Sequence, residues 1–421
     1  MIGRLVMPSA VNSEGQQDGA AAARRTARQI GLIRTCDSLA GSVAQTAIPV
    51  AIFRITGSAL WAGSTFALEW TARLVAISCG GALIDRSNPR TLLIASACAR
   101  VLVAAATITA FMTGAGPLAI VAAGAAVGAI NEVSYLTLEK VGAAVAVSAR
   151  AQAAQTAIDQ GTVLLGPLLA GTALLAGPAW AFTMVAVLST MAAGAAWPLT
   201  HRPMHARSTG TPARALRAGV RAVLKQPVLC WMTAALASMN LLAALLQAAT
   251  PVLVATWTTS PAAVGIAWSA AAAAAIAAAA AAGRILDRVA PRRLIVAVCA
   301  GAALATACAA AAPTYALFTA ALALLAAAEG VALVVLRTTR VRLLPPSVFG
   351  AAVAVMIFAL LLPMPLGGLL TAGTDPKHLP YLLVAAAAVH AAVTGAAAIG
   401  LGRLQSRPQS PPAPGADRSQ R

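Results

Sequence analysis

Charged residues are scarce in this chain: Asp, Glu, Lys and Arg together make up 10% of its 421 residues, where ordinary soluble domains carry about 25%. Apolar residues make up 59% and occur in long runs, since Arg100 is the only charged residue between Thr91 and Asn131. A helix needs about 20 apolar residues to cross a hydrocarbon core of roughly 30 Å, and in lipid its backbone groups must bond within the helix. The scarcity of charge therefore excludes an ordinary soluble domain and predicts an all-α polytopic membrane protein.

The residue patterns of enzymes, metal sites and disulfide frameworks are also missing. The six cysteines lie apart in apolar segments, as small core residues do, and form no close pair. His201 and His205 share helical spacing, but no third metal ligand lies near them in the sequence. There is no Walker sequence, no Ser, His and Asp set at one membrane depth, and no signal-peptide pattern. We therefore expect no catalytic residue, no metal and no cofactor.

The few charges are unevenly distributed, with 30 basic residues against 12 acidic ones and a net charge of +18. Apolar runs bounded by Gly and Pro predict twelve spanning helices. They lie at 30–53, 59–84, 91–112, 116–137, 155–176, 178–199, 227–256, 262–283, 293–312, 314–336, 346–372 and 379–402. Alternating the loops leaves only Arg54 and Lys377 on the basic-poor side. By the positive-inside rule both termini are cytoplasmic, and with no aromatic-rich soluble module we expect no nucleic-acid partner.

A basic, polar stretch near the middle of the chain predicts two halves. The predicted organisation is a disordered cytoplasmic arm (1–29), a six-helix bundle (30–199), a basic cytoplasmic linker (200–226), a second six-helix bundle (227–402) and a disordered cytoplasmic tail (403–421). Each half carries the same turn after its second helix, with Gly, Asp, Arg, Pro and Arg at identical internal spacing. The two copies are Gly81, Asp85, Arg86, Pro89 and Arg90, and Gly283, Asp287, Arg288, Pro291 and Arg292. Two copies at matching positions predict a duplicated unit.

This turn resembles the hallmark of the major facilitator superfamily, Gly-x-x-x-Asp-Arg-x-Gly-Arg-Arg, with Asn88 where the family prefers Gly. Asn tolerates a left-handed turn better than most residues, so this departure from the motif is mild. The resemblance implies two six-helix bundles around a substrate cavity, alternating access, and a monomer in a bacterial inner membrane. It also implies that the two Asp-Arg turns act as cytoplasmic gates, the alternative being ordinary solvated turns.

The segments Asp37–Gly41 and Thr56–Ser58 resemble the exporter branch that includes enterobactin-type siderophore and macrolide efflux proteins. The fifth predicted helix adds Gly166, Pro167 and Gly171, which resemble the antiporter motif centred on Gly-Pro-x-x-Gly-Gly. Ala170 replaces one Gly of that motif. The resemblance implies export, and ordinary close packing of small residues is the alternative reading.

Ionisable residues within spans are costly and are therefore candidates for function. Arg34 and Asp37 are one helical turn apart and able to pair, as are Glu69 and Arg73. Together with Arg100 they allow a buried network across the first three helices. A carboxylate that loses its Arg partner would favour the protonated form, so Asp37 and Glu69 are candidates for proton coupling. Static ion pairs, and a structural role for Arg100, are the alternatives.

The second half offers fewer candidates. Glu329 is its only acid within a predicted helix, and without a basic residue nearby it should be protonated or face a wet cavity. Asn240 and Gln247 lie two turns apart on one face and suit a polar ligand, with interhelical hydrogen bonding as the alternative. Glu132 and Asp159 lie near helix ends and are expected to reach solvent or a loop Arg.

These features favour proton-coupled export of a small organic molecule, either a siderophore or a drug-like compound. An import permease, a non-transporting sensor and a polytopic lipid-modifying enzyme remain alternatives.

Overall fold

The computed structural model describes residues 13–145, 149–199, 212–286, 288–345 and 348–405, and these ranges are almost entirely α-helical. The helices are α1 (Ser13–Thr56), α2 (Ala59–Arg86), α3 (Pro89–Met112), α4 (Pro117–Val145), α5 (Ala149–Ala176), α6 (Pro178–Ala196), α7 (Pro212–Leu224), α8 (Pro227–Val254), α9 (Pro261–Leu286), α10 (Pro291–Ala310), α11 (Tyr315–Leu343), α12 (Phe349–Leu361), α13 (Pro363–Ala372) and α14 (Leu379–Gln405). A short 3-10 helix, Pro376–His378, precedes α14.

Eleven spans within the described residues are long and apolar enough to cross a membrane, with α12 and α13 together forming one of them. Helix α2 is not among the eleven, although its 28 residues pack along α4 like a spanning helix. Its charged residues lower its hydropathy, but Glu69 and Arg73 pair with each other. With α2 the fold has the twelve predicted transmembrane helices.

Proline and glycine mark many helix ends. Six spanning helices begin with Pro at the first position, where its missing N–H leaves no hydrogen bond unmade. After α3 the chain turns at Gly114, whose φ of 67° suits a residue without a Cβ. Asn88, at the position where the motif prefers Gly, lies immediately before α3 with a negative φ. Its φ of −71° and ψ of 122° are extended, and its side chain caps α3 by accepting the Arg90 N–H.

Two segments expected to be irregular are partly helical. Helix α1 begins at Ser13, so residues 13–29 of the predicted arm are helical, consistent with the high helix propensity of their Ala, Gln and Arg residues. Helix α7 occupies most of the described part of the predicted linker. Residues 1–12, 200–211 and 406–421 of the predicted arm, linker and tail lie outside the described ranges.

The eleventh predicted span is one apolar run but two helices. Leu362 separates α12 from α13, because Pro363 and Pro365 lack the N–H groups that a continuous helix would use. The Leu360 carbonyl near this break accepts a hydrogen bond of 2.7 Å from the Asn240 side chain of α8.

Contacts divide the chain into two compact units. Unit 1 comprises residues 1–206, 248–272 and 368–376, and unit 2 comprises residues 207–247, 273–367 and 377–421. The division differs from the predicted halves, because parts of α8, α9 and α13 group with the N-terminal helices. In unit 1, α1 packs on α2, α4, α5 and α6, and α3 packs on α4 and α6. In unit 2, α10 packs on α11 and α14, and α7 packs on α12.

Candidate functional site

A cavity of about 240 Å³ lies among α1, α2, α4 and α5 within unit 1. Helix α1 contributes a face of small and polar residues at helical spacing, including Asp37, Gly41 and Gln45. This cavity is called the polar cavity below. Its polar lining residues are Asp37, Ser38, Ser42, Gln45, Arg73, Asn131, Glu132, Tyr135, Asp159 and Thr162. Three carboxylates and one guanidinium therefore line it.

Asp37 pairs with Arg100 of α3, and not with Arg34 as its position in the helix predicted. The Asp37 Oδ1 accepts from the Arg100 Nη1 at 2.9 Å. Arg100 is fully buried and Asp37 is 5% exposed. The pair joins α1 to α3, while Asp37 also forms part of the cavity wall. A buried ion pair next to a polar cavity can exchange its internal contact for contact with a proton or a ligand.

Arg34 instead joins three helices at a second cluster. Its Nε and Nη2 bind the two carboxylate oxygens of Asp159 at 2.6 Å each, and its Nη1 donates to Gln155 at 3.3 Å. Glu139 of α4 accepts from the same guanidinium, and the Tyr135 ring lies 5.9 Å from it. The fork of Arg suits this two-point carboxylate contact.

Sequence reasoning missed Glu139 and gave Asp159 only a peripheral role. Glu139 lies six residues before the end of α4 and Asp159 ten residues after the start of α5, a difference of about one helical turn, so their positions in the sequence do not indicate that both bind one side chain. The Arg that completes the cluster comes from α1, at a sequence distance that no local pattern reveals.

Glu69 and Arg73 pair within α2 as predicted, at 2.9 Å. Glu69 is fully buried, and its second oxygen has no hydrogen-bond partner among the described residues. Arg73 lies 4.8 Å from the Trp70 ring and reaches the polar cavity, which Glu69 does not. Glu132, expected to reach solvent or a loop Arg, also lines the cavity.

Asn131 lies in the cavity wall on α4, and neither polar atom of its side chain has a hydrogen-bond partner among the described residues. Gly41 of α1 makes room for it, since a Cβ there would lie 3.1 Å from the Asn131 Nδ2. An amide with both its donor and its acceptor unused is suited to binding a polar group of a ligand.

The remaining candidates lie in unit 2. One oxygen of Glu329 is buried without a partner among the described residues. Asn240 bonds the Leu360 carbonyl and so joins α8 to α12, while Gln247 is half-buried. Sequence reasoning overlooked His390, which is 1% exposed and bridges Ser238 at 2.8 Å and the Cys299 carbonyl at 2.9 Å. Its only sequence signal is an imidazole in an apolar span.

The repeated turn is described only in part. Gly81, Asp85 and Arg86 lie in the last turns of α2. The side chains of Asp85 and Arg86 are outside the described residues, as is all of Asp287. In the first copy the Arg90 guanidinium lies 5.3 Å from the Trp197 ring after α6.

In the second copy Gly283 lies near the end of α9, and the exposed Arg288 follows that helix. Arg292 donates to the Ala398 carbonyl of α14 at 2.8 Å. The Arg that ends each copy therefore ties its turn to another helix.

The antiporter-like segment lies at close helix contacts of unit 1. A Cβ at Gly166 of α5 would overlap the Ser42 side chain of α1. The Pro167 carbonyl lies against Gly265 of α9, and a Cβ at Gly171 would be 3.0 Å from Ala262 of α9. Small residues at these positions let α5 approach both neighbours closely.

Known proteins match the chain by family and by fold. The sequence model of the Major Facilitator Superfamily matches residues 30–367. The fold is similar to the nucleoside transporter NupG, with a TM-score of 0.71 at 12% identity over 89% of this chain and 99% of that one. It is similar to a D-xylose-proton symporter, with a TM-score of 0.68 at 13% identity over 88% and 96%.

A bacterial homologue of the iron transporter ferroportin, in an inward-facing state, matches with a TM-score of 0.66 at 14% identity over 91% and 99% of the two chains. A search of curated protein sequences found no significant match. The fold neighbours are transporters, and the family model covers most of the chain. The chain belongs to the Major Facilitator Superfamily and is a membrane transporter rather than an enzyme.

Proposed function

We propose that the protein is a proton-coupled exporter of a small organic molecule that works by alternating access. The observation that carries the proposal is the Asp37–Arg100 ion pair in the wall of the polar cavity. Protonation of Asp37 would remove the attraction that joins α1 to α3 and leave Arg100 to find another partner. A proton and a ligand that compete for this carboxylate are thermodynamically linked, which is what coupled exchange requires.

Export is the proposed direction, on two grounds. The segments around Asp37 and Thr56 resemble exporters, and the antiporter-like residues Gly166 and Gly171 lie at close contacts within unit 1. The D-xylose-proton symporter shares the fold, so an import permease is the second candidate. The cytoplasmic gating role of the repeated turn belongs to the same proposal, with Arg90 and Arg292 as the residues that hold it to neighbouring helices.

The lining of the polar cavity favours one of the two substrate classes. Of the three carboxylates in the lining, Asp37 is paired with Arg100 and Asp159 with Arg34, which leaves Glu132. A carboxylate left over in the lining suits a cationic, drug-like molecule better than an anionic siderophore. We further propose that the protein acts as a monomer in a bacterial inner membrane with both termini cytoplasmic, in keeping with the distribution of its basic residues.

Flux in proteoliposomes tests the proposal. The purified protein is reconstituted, a pH gradient is imposed, and transport of a panel of lipophilic cations and siderophores is measured. We expect gradient-driven flux of a cation in the wild type and in Asp37→Glu, which keeps a carboxylic acid, and loss of that flux in Asp37→Asn. Thermal unfolding of each variant checks that loss of flux is not loss of fold.

The other outcomes separate the alternatives. Gradient-driven flux that persists in Asp37→Asn would reject Asp37 as the coupling residue and leave Glu69 and Glu329 as candidates. Flux of siderophores alone would overturn the substrate assignment. Ligand binding without any flux, in folded protein, would favour a sensor.

A further inference from the structure

Helix α7 has two different exposed surfaces side by side. Leu216, Val220 and Leu224 are 56%, 38% and 68% exposed and follow one another at helical spacing. Three basic residues of the same helix, Arg214, Arg217 and Arg221, are also exposed and form an adjacent stripe, which the exposed Lys225 just after the helix extends. An apolar stripe next to a basic stripe is the pattern of helices that lie in the interface of a membrane.

The rest of unit 2 fixes the depth of this helix. Gly219 packs against Ala351, in the first turn of α12, so closely that a Cβ there would be 2.6 Å from the Ala351 carbonyl carbon. The Val223 carbonyl accepts from Cys230, in the first turn of α8, at 3.3 Å. Helix α7 is therefore attached to the ends of two spanning helices, where hydrocarbon meets headgroups.

The basic stripe has no acidic partner nearby in the sequence, because none of residues 160–286 is Asp or Glu. Four exposed cations at headgroup depth, beside side chains that reach towards hydrocarbon, match a molecule that combines a negative charge with an acyl chain. An anionic phospholipid has both parts. Arg and Lys bind its phosphate, and the leucines cover its first methylene groups.

We propose that α7 is a membrane-surface helix that binds anionic phospholipid headgroups. The bound lipid completes the charge balance of Arg217 and Arg221 and covers Leu216 and Leu224. Gly219 and Val223, which are buried, face the rest of unit 2, and the lipid covers the exposed part of α7. The proposal is independent of the direction and the substrate of transport.

Native mass spectrometry of the full-length protein in detergent measures the binding, with phosphatidylglycerol and phosphatidylcholine as probes. We expect the wild type to bind phosphatidylglycerol more tightly. In R217Q/R221Q the apparent affinity for phosphatidylglycerol should fall by about 10- to 30-fold, since each basic residue near an anionic surface contributes on the order of a fivefold effect.

A charge-matched variant makes the test specific. R284Q/R293Q removes two exposed arginines, one in the last turn of α9 and one in the first turn of α10, and should keep the preference for phosphatidylglycerol. Equal losses in the two double variants would overturn the proposal, because net charge alone would then account for the binding. Equal affinity of the wild type for both lipids would overturn it too.

A crosslinking arm identifies the occupant in cells. Leu224 is replaced by p-benzoylphenylalanine, which on irradiation reacts with whatever covers that position. Adducts with the mass of phospholipids support the proposal. Adducts with a protein or a nucleic acid would show a different partner and overturn it.

Discussion

The ion pair between Arg100 and Asp37 is important for the stability of the fold. Arg100 has no exposed surface, and its Nε and Nη2 have no hydrogen-bond partner among the described residues. Its charge is therefore balanced mainly by Asp37. Removing one partner of such a pair leaves the other buried without compensation, which destabilises a fold far more than removing both.

A double-mutant cycle measures this coupling. Arg100→Gln and Asp37→Asn are each expected to cost about 3 to 5 kcal/mol of stability. The double variant should cost less than the sum of the two, because it leaves no unpaired charge. Thermal unfolding in detergent micelles ranks the four proteins. Ser96→Ala, a small change at a buried position of α3, serves as the control.

Purely additive losses would contradict the pairing. They would mean that Arg100 and Asp37 are each balanced by other groups, and the ion pair could then not be the element that responds to a proton at Asp37.

The ion pairs that could be predicted from the sequence are those between residues close together in one helix. Glu69 and Arg73 lie four residues apart in one helix, so their contact follows from helical geometry. Arg34 and Asp37 also share a turn, yet Arg34 binds Asp159 and Asp37 binds Arg100. Helical spacing permits a contact but does not rank it against partners on neighbouring helices, whose identity depends on packing.

At the scale of helices, long apolar runs predicted the transmembrane spans, because in lipid the backbone N–H and C=O groups of each run must hydrogen-bond within the same helix. The same reasoning failed where hydropathy is uninformative. Helix α1 extends to Ser13 through polar and Ala-rich residues, and α7 forms in the basic linker, since helix propensity and amphipathic spacing suffice there. The break between α12 and α13 at Leu362 follows from Pro363. Counting apolar residues does not reveal it, because Pro does not interrupt an apolar run.

The contact of α5 with α1 yields a prediction at this scale. Gly166→Ala places a methyl group where Ser42 lies, so we expect a loss of about 1 to 3 kcal/mol from overpacking. Gly161→Ala on the same helix has open space, with no heavy atom within 4 Å of its Cβ, and should be neutral or stabilising by about 0.5 to 1 kcal/mol. Thermal unfolding of the two variants under the same conditions compares them.

Opposite shifts for the two glycines would support close packing as the reason for small residues in the antiporter-like segment. Equal shifts would mean that helix propensity, and not the approach of α5 to α1, decides the effect of alanine at both positions.

For the whole molecule, the number of spans decides where the termini lie. Among the residues that the structure describes, eleven helical spans are long and apolar enough to cross a membrane. An odd number of spans would place the two termini on opposite sides of the membrane. If α2 also crosses the membrane, the number of spans is twelve, which is an even number. The Glu69–Arg73 pair lets it do so, since an internal ion pair lowers the cost of carrying both charges into lipid.

Reporter fusions test the count. Green fluorescent protein fused after Ser87 or at the C-terminus should fluoresce, and alkaline phosphatase fused after Gly57 should be active, because α2 then separates a cytoplasmic turn from an external one. If the Gly57 and Ser87 fusions report the same side, α2 does not cross and the chain has eleven spans. Six spans separate the two copies of the duplicated turn, so both copies would then lie on the side opposite to a cytoplasmic N-terminus, which is incompatible with a cytoplasmic gating role.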